Sequence, residues 1–447
     1  MATNSHTQHG GVQRRLLQLL FLAFMASIVV FITGIQDGSS PDSSSFAFVA
    51  DDDELEGRDL MDQIRPQRPT VKAAFRLESY APGDVARLVI SDRASRVSLE
   101  IRHVGPDVAR VKRNDVMTGV LVARIGSIGR VGGRRIVPVR IGYWPTGLYF
   151  AQLTAPGGRV GYAPFVLRPE RLGEHGIAVV LPTQTWQAYN RRDDDGDGVG
   201  DTWYENPRHL TVRLGRAFLD RGTPPHFKYY DLPFLHWLAH SGRAVDILSD
   251  RELNEVSGER LARAYSLIVF PGHHEYVTTH EYDSITRYRD LGGNLMFLSA
   301  NNFFWRVDKR SGTITRVAQW RTLGRPEAAL IGVQYFMNDA GEHRGPWIVR
   351  NREAHPWVFA GTDLRNGSPF SSGGIEADHV VPASPNSVQL VAEIPNLYGP
   401  GLTAQMTYYE TRAGAKVFAA GAFTFAGAVN GAPGQVLGNL WEKLARA

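Results

Sequence analysis

Ser266-Leu267-Ile268-Val269-Phe270 is an apolar run, and Pro271-Gly272-His273-His274-Glu275-Tyr276 follows it directly. A short apolar stretch closed by Pro and Gly reads as a strand buried on both faces. The pattern recurs upstream in Ile177-Ala178-Val179-Val180-Leu181 and downstream in Asn294-Leu295-Met296-Phe297-Leu298, with helical periods between, as at 232–239. Buried strands alternating with helices predict an α/β domain over 170–447, built on a largely parallel sheet with covered faces. In such sheets chemistry gathers beyond the C-terminal ends of the strands. Three segments occupy such ends: Thr183-Gln184-Thr185-Trp186-Gln187-Ala188-Tyr189-Asn190, the His-His-Glu loop at 273–275, and Ser299-Ala300-Asn301-Asn302.

N-terminal to this domain, short strand-like stretches recur between 70 and 169, for example Ala86-Arg87-Leu88-Val89-Ile90 and Leu148-Tyr149-Phe150-Ala151-Gln152-Leu153. Their close spacing and the Gly, Pro and Asp residues between them predict an immunoglobulin-like β-sandwich, a module that binds, spaces or packs. Residues 37–69, rich in Ser, Asp, Pro and Glu, read as a flexible linker. Residues 1–36 hold Arg14 and Arg15 ahead of an apolar run at 16–35, with Asp37, Asp42, Asp51, Asp52, Asp53 and Glu54 after it. A run of about 20 apolar residues suits a membrane span, and the charge asymmetry places the remainder outside the cytoplasm. The expectation is an N-terminal transmembrane anchor at the bacterial cell envelope; a cleaved signal and a secreted protein is the competing reading.

Zero cysteines exclude disulfides, thiolate metal sites and a Cys nucleophile. The net charge is only +4 and arginine is spread along the chain, so nucleic acid is not an expected partner. His273 and Glu275 at a strand end can supply a metal ligand and an acid or base. A His-rich turn that merely caps the next helix would have the same sequence. Asn301 could orient a substrate or stabilise an oxyanion, and an ordinary Asn turn is its plain alternative.

Trp186-Gln187-Ala188-Tyr189-Asn190, Tyr230-Asp231-Leu232-Pro233-Phe234-Leu235-His236-Trp237-Leu238, Gly272-His273-His274-Glu275-Tyr276 and Gly292-Gly293-Asn294-Leu295-Met296-Phe297-Leu298-Ser299-Ala300-Asn301 occur in one order. In that order they resemble the large (beta) subunit family of N,N-dimethylformamidase, over roughly 176–427. The resemblance implies a class I glutamine amidotransferase-like sheet and a mononuclear Fe³⁺ held by two tyrosines and one glutamate. Transferred motif by motif, the ligands are Tyr189, Tyr230 and Glu275, with His273, Asn301 and Glu376 lining the active site. It further implies hydrolysis of small linear amides and leaves open a small partner subunit or a homo-oligomer. His274 and Val277 depart from the family pattern, as does the loop after Tyr189, which bears on substrate choice.

That loop is Arg191-Arg192-Asp193-Asp194-Asp195-Gly196-Asp197-Gly198-Val199-Gly200-Asp201. Asp193, Asp195 and Asp197 alternate, Gly198 allows a sharp turn and Asp201 takes a later ligand position, as in a Ca²⁺ loop. Tyr204 stands at the twelfth position, where a bidentate carboxylate is usual, and Glu205 comes one residue late. A solvated acidic turn is the alternative. The leading functional reading is an exported, metal-dependent amide hydrolase. Its competitors are a non-catalytic surface protein that binds a glycan or a protein, and a hydrolase of sugar or ester bonds.

Overall fold

The computed structural model describes residues 70–446 apart from 108–110, 112, 340 and 424. Two sheets come first. β1 (Lys72–Phe75), β3 (Val85–Asp92) and β6 (Gly133–Arg140) form one, in the order β1-β3-β6. The other runs β2 (Ser79–Tyr80), β8 (Arg159–Leu167), β7 (Gly147–Ala155), β4 (Val97–His103) and β5 (Val120–Ile128). Alternation builds this pair: in β3, Ala86, Leu88 and Ile90 are buried while Val85 and Arg87 are exposed. The buried set meets Leu99, Ile101, Tyr149 and Phe165 from the second sheet in one core. The turn entering β7 is held where the Tyr149 hydroxyl donates to the Pro145 carbonyl at 2.7 Å.

β7 and β8 are buried on their other face as well. Phe150, Tyr162 and Val166 join a second core with Phe234 and Leu235 from helix α3 (Leu232–His240). The sandwich therefore packs its second sheet directly against the domain that follows.

That domain is centred on an 11-stranded sheet. Five parallel strands form one half, in the order β11 (Asp246–Ser249), β9 (Ile177–Leu181), β12 (Leu267–Phe270), β14 (Asn294–Phe297), β22 (Lys416–Ala419). β11, β12 and β14 are buried at every position, which is why Leu267–Phe270 and Leu295–Phe297 read as apolar runs, whereas β11 carries Asp246 and Ser249 at its ends. The other half is antiparallel: β21 (Ala404–Glu410), β20 (Gln389–Ile394), β18 (Arg344–Val349), β19 (Pro369–His379) and β17 (Gln334–Asn338), with β23 (Ala422–Phe423) on β19. A further sheet runs β10 (Thr211–Arg213), β16 (Thr313–Gln319), β15 (Trp305–Arg310), β13 (Tyr276–Val277).

The expected α/β, amidotransferase-like parallel fold is thereby corrected. Strand outweighs helix by 36% to 18%, and the parallel strands are only half of a mixed sheet. The cause is the chain between β14 and β22, which supplies strands but almost no helix. Parallel neighbours need crossovers of a dozen residues or more, usually helical, whereas this stretch pairs by antiparallel returns. The expected membrane-spanning helix is also unsupported: no helix among the described residues is long and apolar enough to cross a membrane. The run at 16–35 and the linker at 37–69 lie outside the described residues.

Short helices link the parallel strands. α1 (Thr183–Ala188) and α2 (Phe227–Tyr230) precede α3. Ser249 forms a capping box with Glu252 at the start of α4 (Asp250–Glu255), which α5 (Gly258–Ala264) follows. Thr278 does the same with Glu281 at α6 (Thr279–Asp290). Glu281 is fully buried and also accepts from the Gln184 amide at 2.8 Å, while Asp250 accepts from the Gln184 backbone N–H at 2.7 Å. Nearby, Glu78 pairs with Lys309 at 2.9 Å.

Burial pushes the Glu281 carboxyl up to about 7 and Asp250 well above the usual carboxylate range. Groups raised in the folded state add stability that is complete below about pH 4 and lost as pH rises through about 7. Unfolding free energy is expected to fall across that window, by up to about 1.4 kcal/mol per pH unit for each extra proton held. Urea titrations at pH 5 and pH 8 check this, and Glu281→Gln should flatten the dependence.

Candidate active site

Tyr189 caps the C-terminal end of α1, where its backbone N–H donates to Thr185 O at 3.0 Å. Its hydroxyl donates to Glu275 Oε2 at 2.8 Å. Glu275 stands in the loop beyond β12, held in place by the segment after β14. Trp305 N–H donates to Glu275 O at 2.9 Å and Phe303 N–H to His274 O at 2.7 Å, while the Asn302 side chain receives the His274 N–H at 3.1 Å. Asn301 and Phe303 have φ of 52° and 58°, left-handed backbone that is costly for non-glycine residues and concentrates at functional sites.

His273 Nε2 lies 3.6 Å from Glu275 Oε2 and 3.4 Å from Glu376 Oε2, so β19 brings a second carboxylate to the same imidazole. Two residues along β19, Asp378 accepts from the Asn301 backbone N–H at 2.9 Å. Tyr230 enters through its ring. It stacks on Phe423 at 4.6 Å and on His226 at 5.1 Å, and Phe423 meets the His273 ring at 4.9 Å. The structure thus brings together Tyr189, His273, Glu275 and Glu376, with Tyr230 and Asn301 in the surrounding shell.

Four contributors were not foreseen: Tyr204, Tyr276, His226 and Phe423. Tyr204 donates to Glu275 Oε2 at 3.1 Å and shares a 2.5 Å hydrogen bond with Tyr276. Tyr204 carried a signal, because it replaces the carboxylate usual at the end of the acidic loop. Tyr276 adjoins Glu275 in sequence. His226, with φ of 57°, and Phe423 gave none.

Burial dominates the electrostatics. It holds the Tyr189 and Tyr204 hydroxyls well above their usual range, with Glu275 adding to the effect, and pushes Glu275 up to about 7 against three tyrosine hydrogen bonds. Burial, aided by His226 and His274, keeps His273 neutral. His273 Nε2 and Asn301 Oδ1 are buried with no hydrogen bond, an arrangement native proteins avoid unless a ligand, water or ion completes it. The oxygen donors that meet at Glu275 Oε2 are of the hard kind a cation takes, and a cation there would offset the burial that keeps them protonated. A narrow pocket with about 30 Å³ of free space reaches Tyr189, between Asn114, Thr223, Pro224, Pro225 and His226.

The acidic loop is anchored beside this site. Asp193, Asp195 and Asp197 present carboxylate oxygens within 4.8 Å of one another, while Asp201 accepts from the Asp194 N–H at 2.9 Å. Gly196 and Gly198 take φ of 85° and 86°, and both donate to Asp193. Arg216, almost fully buried, donates to the carbonyls of Gln187 and Asn190 at 3.0 Å and of Arg192 at 3.3 Å. It ties the loop to the helix end that carries Tyr189. Arg216→Ala should destabilise the fold by about 3 kcal/mol, because buried carbonyls lose a charged donor; a denaturant midpoint measures it.

The sequence profile described as N,N-dimethylformamidase beta subunit-like, C-terminal, matches residues 137–436. The chain belongs to this family. The match starts well before the motif-bearing stretch and takes in β7 and β8. The chain is 31% identical over 115 residues to the N,N-dimethylformamidase beta subunit of Alcaligenes sp, covering 26% of this chain and 14% of that protein. Against the beta subunit from Paracoccus aminophilus it is 36% identical over 77 residues, 17% and 10% of the two chains. The alignments thus span under a sixth of either relative. Among solved structures, a Paenibacillus cycloisomaltooligosaccharide glucanotransferase aligns with 43% of this chain and 30% of its own at 12% identity and a TM-score of 0.17, too low to bear on the fold of this dimethylformamidase-like chain.

Proposed function

We propose that this chain hydrolyses small linear amides at a mononuclear iron bound by Tyr189, Tyr230 and Glu275. The observation that carries the proposal is the 2.8 Å contact between Tyr189 Oη and Glu275 Oε2, in a buried cluster with His273 and Glu376. Family membership supports the reaction class, since the curated relatives are named N,N-dimethylformamidase beta subunit. Two phenolates and a carboxylate are hard oxygen donors suited to trivalent iron. When bound, the ion would supply Lewis acidity toward an amide carbonyl and a water.

The chain's own residues handle the protons. Neutral His273 presents Nε2 as an acceptor for the proton of the attacking water and returns it to the departing nitrogen, which leaves poorly unless protonated. Glu376 Oε2, 3.4 Å from Nε2, places a second carboxylate beside that imidazole, where it would stabilise the protonated form. Asn301 offers its side-chain amide to the substrate, and the narrow approach past Pro224 and His226 favours small acyl and amine groups. The relatives are named beta subunits, and a partner subunit for this chain belongs to the same proposal. The test is amine release from a panel of short-chain amides by the full chain, with and without an iron chelator. Chelator-sensitive turnover of small amides is expected; an absence of turnover by the iron-loaded protein, alone and with a co-expressed partner subunit, contradicts the reading.

We also propose that Asp193, Asp195, Asp197 and Asp201 take Ca²⁺ and so stiffen the segment after Tyr189. Removing Ca²⁺ should speed proteolysis near Asp195. Cleavage at an unchanged rate counts against the site.

A further inference from the structure

The small net charge of the chain conceals an asymmetry. Residues 70–169 hold sixteen Lys and Arg against six Asp and Glu, leaving 33 against 39 elsewhere. In the sheet β1-β3-β6, period-two alternation sends part of this charge to the face away from the sandwich core. Lys72 pairs in register with Ser91, and Ser91 with Arg134, so the three form one exposed cross-strand row. Lys72 and Arg134 stand two strand spacings apart, about 10 Å.

This face forms one wall of an open cleft of about 750 Å³, and the segment 192–217 forms the other. Lys72, Arg76, Arg93 and Arg134 line the sheet side, and Arg192 and Arg213 face them. The carboxylates in the lining are engaged. Asp92 is bonded to Arg159 at 2.6 Å, Asp194 to Arg192 at 2.6 Å and Arg213 at 3.0 Å, and Asp193 accepts the N–H groups of Gly196 and Gly198. Lys72, Arg76, Arg93 and Arg134 form no ion pair with a described carboxylate. The cleft therefore has a surplus of positive charge concentrated between two low-dielectric walls, which strengthens attraction for an anion.

We propose that this cleft binds an extended acidic polysaccharide, its carboxylates meeting the Lys72–Arg134 row, Arg76 and Arg93, with the exposed Arg213 on the opposite wall. No aromatic side chain lines the cleft, so the bases of a single-stranded nucleic acid would have no stacking platform. A flat bilayer cannot enter between two walls. Small apolar side chains, Ala74 and Val89, floor the cleft between the cations and suit the non-polar edge of a sugar ring. The 10 Å spacing of the row is about the length of a disaccharide. Arginine matches carboxylate with its planar fork, and four of the five exposed cations in the lining, Arg76, Arg93, Arg134 and Arg213, are arginine.

The test is binding of the full chain to polygalacturonate, with dextran and inorganic polyphosphate as comparison polymers, at 50 and 200 mM salt. Polygalacturonate should bind, weakening about tenfold or more between the two salt concentrations as screening grows. Lys72→Ala/Arg134→Ala, both exposed and outside the core, should weaken it at least about tenfold, as expected when two of the facing charges go. The control Arg96→Ala/Arg124→Ala, outside the cleft, should bind as wild type. Equal binding of dextran, tighter binding of polyphosphate, or a Lys72→Ala/Arg134→Ala variant that binds like the wild type would each overturn the assignment.

Discussion

Glu275→Ala is expected to lower turnover of small amides by more than about 100-fold, since even the loss of a group that only orients a metal ligand costs 10–100-fold. Bound iron should fall with it. Glu275 Oε2 is the shared acceptor for Tyr189 at 2.8 Å and Tyr204 at 3.1 Å, with His273 Nε2 at 3.6 Å. Removing it strands the Tyr189 hydroxyl, at about 1–3 kcal/mol for an unsatisfied buried group, while Tyr204 keeps its hydrogen bond to Tyr276, so some destabilisation accompanies the loss. Glu275→Gln separates the two effects. Its amide oxygen keeps an acceptor in the same volume but supplies no negative charge, so it should fold normally and still fail to turn over substrate. Steady-state rates beside thermal melts of both variants make the comparison. Wild-type turnover by Glu275→Gln would remove the carboxylate from the ligand set.

Gly272→Ala is expected to disrupt the site from one residue away. A Cβ at position 272 would lie 2.4 Å from Asp231 Oδ1 and 3.1 Å from the Pro182 ring. Neither neighbour gives way easily. Asp231 is buried and its Oδ2 accepts the Trp186 indole N–H at 3.1 Å, while Pro182 is the residue before α1. Glycine here lets the His273–Glu275 loop pass against the residue that follows Tyr230, so the two segments close on each other. Overpacking of this kind costs about 1–3 kcal/mol. It should also displace His273 and Glu275 from Tyr189 and lower activity beyond what the stability loss explains. Combining it with Asp231→Ala should be less than additive in urea midpoints, because the smaller side chain relieves the clash.

The strands β9, β12 and β14 were legible because burial on both faces leaves apolar runs that need no alternation to interpret. The strand-end rule then led to His273, Glu275, Asn301 and the segment 183–190, in which the resemblance singled out Tyr189, and the structure sets Tyr189, His273 and Glu275 together with Asn301 in the surrounding shell. The antiparallel half of the large sheet was not legible. β17, β18 and β20 mix exposed, half-buried and buried positions, so their pattern resembles connecting loop, and their neighbours are decided by returns far apart in sequence. The parallel half was therefore extended over the whole domain, producing the α/β assignment that the structure overturns. Glu376 sits on β19, within this unread half, and only resemblance singled it out. Tyr204 and Phe423 reach the site through loop and edge-strand packing, which no local spacing encodes. At the acidic loop, the missing carboxylate at position 204 was visible, but its reason was not: the side chain there turns inward to Glu275.

The most direct test of the central claim is the metal content and visible absorption spectrum of the chain purified without chelator. Phenolate bound to ferric iron gives a charge-transfer band, so about one iron per chain with a visible band that is lost in Tyr189→Phe is the result expected from the Tyr189, Tyr230 and Glu275 site. A folded, colourless chain that takes up no iron on reconstitution, or a band that persists unchanged in Tyr189→Phe, would contradict it.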